Sequence, residues 1–182
     1  MKVVIDRSGA VARWTASRIP LMAGTLGFED RAVSFGVLSD EGQPLGGVVF
    51  TDWQPVYRSI QVSFASASPR WLTPKLVAAI LDYPFAQLAC QRVTSVTPSK
   101  AASALRFLNR FGFVREGLIR RGFGTDDAII SGLLAEEWAG HRFNRNRRSG
   151  LARSFQHEEH EEHEEHEEHE ERQDRIDRPG SR

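Results

Sequence analysis

Few side chains in this sequence carry reactive chemistry, and their spacing limits what that chemistry is. Five of the six histidines recur at every third position, His157, His160, His163, His166 and His169, separated by Glu-Glu pairs. Imidazoles three residues apart fall near one face of a helix, and imidazole suits zinc, copper or nickel. A working metal site also needs groups that fix each ring, whereas ten glutamates within residues 157–171 supply mutual repulsion. Metal capture there is expected only as adventitious binding, and no metal is required. A second pattern has anion chemistry. Thr73-Pro74-Lys75 has the form of a helix start, a capping hydroxyl followed by proline at the first helical position, with Arg70 just upstream. The first amides of such a helix and the positive end of its dipole receive phosphate oxygens, and Arg70 and Lys75 add charged donors. Material for acid–base work is thinner: the hydroxyls of Ser99 and Ser103 and the carboxylates of Asp52 and Glu116 are the catalytic candidates. His141 sits in an arginine-rich stretch and is expected to be no catalyst. Cys90, the only cysteine, is expected to be a buried, inert thiol.

The elements that must position these groups follow from periodicity. Ala10–Ile19 has helical spacing of Val11, Trp14 and Ile19 and stops before Pro20. Ala32–Leu38 and Leu45–Phe50 are strands joined by a turn at Asp40-Glu41-Gly42, and Ser59–Ala65 alternates as a third strand, with Ile60, Val62 and Phe64 on one face. Thr73 opens a helix through Leu88 that is apolar nearly all round and so belongs against a sheet, with Pro84 expected to kink it or tighten its last turn. Arg92–Thr97 is the next strand. Thr97-Pro98 opens a second helix, Ser99–Phe111, whose apolar stripe is Ala101, Ala104, Leu105, Leu108 and Phe111 and whose stop is Gly112 in a left-handed conformation. Val114–Phe123 and Ala128–Leu134 form a closing hairpin. A strand–helix–strand unit among antiparallel neighbours requires a mixed α/β (α+β) fold: a central, mostly antiparallel twisted sheet with flanking helices and a right-handed crossover.

Composition divides the chain. Residues 1–156 hold 20 Lys and Arg against 12 Asp and Glu, while residues 157–182 hold 4 against 12, so the zero net charge conceals a basic body and an acidic tail. A basic body suits an anionic ligand. The expected organisation is a domain over 1–140, a basic linker over 141–156 and a disordered His/Glu-rich tail over 157–182. One cysteine allows no internal disulfide, and no window approaches a membrane span, so a reducing cytoplasm and no membrane partner are expected.

The run Ser99–Arg120 resembles the signature of the GNAT acetyltransferase superfamily: an amphipathic helix ending in Gly112-Phe113, followed by Glu116-Gly117 and the basic Arg120. Leu81-Asp82-Tyr83-Pro84-Phe85, followed by Arg92-Val93, is similar to the end of the preceding helix in that family. The similarity spans roughly Ala32–Trp138, and Pro69–Thr73 further resembles GNAT-type proteins encoded by phages and prophages, which would place the chain in a host cytoplasm. The resemblance implies acetyl-CoA as co-substrate. It implies that the strand holding Val62, Ser63 and Phe64 receives the pantetheine arm, and that Arg70, Trp71, Leu72, Thr73 and Lys75 receive the pyrophosphate. Two departures stand out. The family's phosphate loop carries glycines where this chain has Pro69 and Trp71, and its helix tyrosine, a proton donor to the departing thiolate, is replaced by Leu108; an asparagine near the start of that helix is replaced around Ala101.

Three function classes fit this sequence. The first is an acetyl-CoA-dependent N-acyltransferase acting on an unidentified amine acceptor. The second is a non-catalytic GNAT-fold module that binds CoA as a ligand or serves as a structural component of a phage assembly; the sequence leaves the oligomeric state open, a homo-oligomer or a phage assembly partner among the options. The third, carried by the basic body and arginine linker alone, is a nucleic-acid-binding protein.

Overall fold

A computed structural model describes residues 1–6, 8–19, 32–68 and 71–144. Among the described residues the strands and α-helices are, in order, β1 (Lys2–Asp6), α1 (Ala10–Ala16), β2 (Val33–Leu38), β3 (Pro44–Gln54), β4 (Ser59–Ser66), α2 (Pro74–Asp82), β5 (Arg92–Pro98), α3 (Ala102–Arg110), β6 (Val114–Phe123), β7 (Asp126–Leu134) and α4 (Ala135–Gly140). The strands make one sheet in the order β1-β2-β3-β4-β5-β7-β6. Every neighbouring pair is antiparallel except β4 and β5, so the mixed, mostly antiparallel architecture expected from the element order is present.

Alternation along the strands divides the sheet into two faces. Phe35, Val48, Phe50, Ile60, Val62 and Val93 are buried with Val77, Ile80 and Leu81 of α2 and with Leu108 and Phe111 of α3 in one apolar cluster. The opposite face is seated on α1. Gly36 and Gly47 are cross-strand partners there, and a Cβ on Gly47 would stand 2.2 Å from the Thr15 hydroxyl oxygen, so only a glycine admits the helix this closely. Gly46, whose side faces the other way, is where the Trp71 indole lies: a Cβ would come within 1.9 Å of its ring. Two adjacent glycines thus admit a helix on one face and an indole on the other.

Several expectations are corrected. β1 and α4 are additional elements. β1 places three apolar residues in a row, Val3-Val4-Ile5, at a sheet edge, without the alternation that marks a half-buried strand. Pro84 does not tighten the last turn of the second helix. Lacking an N–H, it opens the last turn into a π-turn over Tyr83–Gln87, closed by the Leu88 N–H donating to the Tyr83 carbonyl at 3.1 Å. α3 starts at Ala102 instead of Ser99, because Pro98 ends β5 and the Ser99 hydroxyl is bound elsewhere. Its buried stripe also differs: Leu105 is half-buried, while Phe107, left out of the predicted stripe, packs its ring on Phe64, Trp71 and Phe111. The stop is as expected, with Gly112 at φ 91° and the Phe113 N–H donating to the Leu108 carbonyl.

His141, Phe143 and Asn144, expected in a linker, are packed: His141 stacks on Trp138, Phe143 contacts Phe111, and the Asn144 amide donates to the Trp138 carbonyl at 3.1 Å. The rest of that linker, the His/Glu tract with His157, His160, His163, His166 and His169, and Arg70 lie outside the described residues. No described helix is long and apolar enough to cross a membrane.

Candidate functional site

The site originates in the one parallel contact of the sheet. β4 and β5 pair only at Ser59–Arg92, Ile60–Val93 and Gln61–Thr94. Arg58 clamps this end, accepting the Gln91 N–H at 2.7 Å through its carbonyl and donating its Nε to the Ala89 carbonyl at 2.8 Å. Beyond Gln61 the two strands part, so from Val62 onward β4 is paired on its β3 side only. A strand edge without a neighbour presents backbone donors and acceptors to whatever enters.

The gap opens into a cleft of about 730 Å³. Ser63–Ser66 of β4 form one wall and Ser95–Pro98 of β5 the other; Trp71, Ala101 just before α3, and Ser103, Ala104 and Phe107 of α3 lie on one face of the sheet, and Arg18 and Ile19, just after α1, on the other. Thr125 of the β6–β7 turn and Asp126 at the start of β7 complete the rim. The lining of the cleft therefore comes from both faces of the sheet. Its volume is in the range of small-molecule sites.

The polar groups have definite partners. Asp126 accepts from the Ser99 hydroxyl at 2.8 Å and lies 3.7 Å from the Lys100 ammonium. The Ser99 hydrogen bond, followed by contacts from Lys100, holds its carboxyl below the usual carboxylate range, so it is ionised at neutral pH. Ser95 and Thr97 are buried beneath α3 with their hydroxyls 3.4 Å apart. At the start of α2 the Thr73 hydroxyl accepts the Leu76 N–H at 3.3 Å. Pro74 has no N–H, so the first turn presents the Lys75 amide and the exposed Lys75 side chain.

The sequence candidates separate spatially. Ser63, Phe64, Trp71 and Ser103 line the cleft. Val62 points into the core at 6% exposure, and Leu72 is half-buried against the same core. Ser99 stands at the rim on Asp126. Asp52 is exposed, with φ 50°, near the β3–β4 turn at the clamped end of β4, the end opposite the gap. Glu116 is committed to a two-pronged ion pair with Arg92, whose hydrogen bonds lower its pKa. Leu108 is 2% exposed on the core side of α3, outside the cleft lining. Sequence reasoning missed Asp126, Thr125, Ser95 and Thr97. Asp126 read as a turn residue, and its approach to Ser99 joins positions 27 apart in the chain.

No family model and no curated protein matches this sequence. Solved structures do. The chain is similar to the spermidine/spermine N-acetyltransferase SpeG from Vibrio cholerae in complex with manganese ions, with a TM-score of 0.62 and 15% identity over 75% of this chain and 94% of that one. Two mutant forms of the same enzyme give a TM-score of 0.54 at 19% identity over 60% and 70%. The ribosomal-protein-S5-alanine acetyltransferase from Vibrio fischeri gives 0.53 at 17% over 59% of this chain and 63% of that one. At these identities the likeness is one of fold: the chain has the architecture of GNAT acetyltransferases.

Proposed function

We propose that this domain binds acetyl-CoA in the gap between β4 and β5 and transfers the acetyl group to an amine. The observation that carries the reading is the gap itself: three paired positions, then a strand edge open along Val62–Ser66 above a cleft lined from both faces of the sheet. The pantetheine arm, itself a chain of amides, pairs with that edge. The pyrophosphate meets the start of α2, where the Lys75 amide and ammonium and the helix dipole attract its oxygens. The amine enters from the α1 side, past Arg18, Ile19 and Thr125.

In the reaction the acyl C–S bond breaks and a C–N bond forms; the amine gives up a proton and the departing thiolate takes one. The described lining holds one carboxylate, Asp126, which draws the proton from the ammonium through water, and it holds the hydroxyls of Ser95, Thr97 and Ser103 as donors to the thiolate. A reduced cytoplasm suits the buried free thiol of Cys90. A second reading, a domain that binds CoA without turnover, is favoured by the absence of Tyr, His, Cys and Glu from the described lining.

Calorimetry with acetyl-CoA, followed by thiol release against a mixed amine panel, tests both. Binding with turnover is expected; binding alone selects the second reading, and no binding removes both. Lys75→Ala should weaken binding by about 1.5–3 kcal/mol at low salt, the range of a charge-assisted hydrogen bond, and by less as salt rises.

A further inference from the structure

A second space adjoins the cleft. Between β3 and β4 on one side and α2 and α3 on the other lies a cavity of about 40 Å³, with only apolar side chains in its lining. Val48, Val77, Ile80, Leu81 and Leu108 are among them. Phe64 and Phe107 line both spaces, so this pair of rings, with centroids 4.8 Å apart, borders the cavity and the cleft alike. Phe107 is half-buried, and its ring lies against Trp71 on the cleft side.

We propose that this cavity receives the acyl chain of the bound thioester, so that the domain accepts acyl groups of about three or four carbons in preference to acetyl. The inference rests on the proposed acyl-CoA site and names the donor class of that site. Three observations carry it. The lining offers no hydrogen-bond partner, so water gains nothing there and an apolar occupant does. One water-sized volume takes roughly 10–15 Å³ on this measure, so the space suits about two or three carbons beyond the carbonyl and no long chain. Phe64 and Phe107 border both this space and the thioester's path, and Phe107 has the open cleft beside it. Leu108 contributes by its bulk: a branched aliphatic side chain in this wall leaves room that a larger ring would fill.

The experiment needs no acceptor. Affinities of the full chain for CoA, acetyl-CoA, butyryl-CoA and decanoyl-CoA are measured by calorimetry. Each buried methylene is worth about fourfold, so butyryl-CoA should bind up to roughly 15-fold more tightly than acetyl-CoA. Decanoyl-CoA should bind no more tightly than butyryl-CoA. Ile80→Phe fills the cavity and should erase the chain-length increment; Val77→Leu, for the case where the larger change impairs folding, adds one methylene and should reduce the increment about fourfold; both should leave the acetyl-CoA affinity unchanged. Equal affinities for acetyl-CoA and butyryl-CoA, or an increment undiminished in both variants, overturns the inference alone. Failure to bind CoA or any of its thioesters removes the proposed site and the inference together.

Discussion

Gly46→Ala is a one-carbon change with a specific consequence. The new methyl would stand 1.9 Å from Cε3 of Trp71 and 2.5 Å from Cδ2 and Cζ3. Carbon atoms rest at about 3.5–4.0 Å, so the indole must retreat by roughly 1.5–2 Å. Trp71 is 3% exposed, and its ring stacks on Phe107 at 5.8 Å, so the retreat disturbs the wall of the cleft as well as the core. Overpacking of this kind costs about 1–3 kcal/mol, and replacing glycine inside a strand returns about 0.5–1 kcal/mol of backbone entropy. The net loss is up to about 2.5 kcal/mol. Urea unfolding of four proteins measures it: the parent, Gly46→Ala, Trp71→Leu and the double variant. Once the indole is gone the alanine should be neutral or stabilising, which gives a coupling energy within the usual range of about 0.5–3 kcal/mol for contacting residues. Equal destabilisation by the alanine in both backgrounds would refute the steric reasoning.

Leu108→Ala should cost about 2–5 kcal/mol in the same assay, since Leu108 is 2% exposed on the core side of α3; a change below about 0.5 kcal/mol would contradict that packing. His141 yields a pH dependence. Burial between Trp138 and Phe143, then the charge of Arg142, pushes its pKa below the ordinary 6.5, against the opposing hydrogen bond to the Arg110 backbone. The unfolded chain therefore binds the proton more readily, so the contribution is full above about pH 6.5 and is lost as pH falls through that value toward the lower folded pKa. The melting temperature should drop between pH 7.5 and 5.5, and His141→Gln should remove part of that drop; identical pH profiles would refute the assignment.

The legible parts of this fold are those written in local periodicity. The β2–β3 hairpin, β4 and the helix ending at Gly112 could be read because alternation or a left-handed stop lies within a few residues. α4, six residues long, gives too few turns for a pattern. Gly46 and Gly47 look like one flexible spot in the sequence; that they face opposite layers follows only from the pleat. The cleft is similar. Its strand and the helix start at Thr73 were readable, but Asp126 gains meaning from Ser99, and Glu116 loses availability to Arg92, 24 residues away. Such pairings depend on strand order, which no local pattern records.

The short junction between β4 and β5 also bears on how the sheet comes apart. β1–β4 are consecutive antiparallel neighbours, and β5, β7 and β6 pair among themselves, so three residue pairs and the Arg58 clamp are the backbone links across the middle. Regions that share few hydrogen bonds open as separate cooperative units. Amide exchange in β2 and β3 should therefore decay together on one timescale and that in β5 and β7 on another. The amides of Val62–Ser66 that face the gap should exchange fastest of all in β4, and a ligand pairing with that edge would join the two timescales into one.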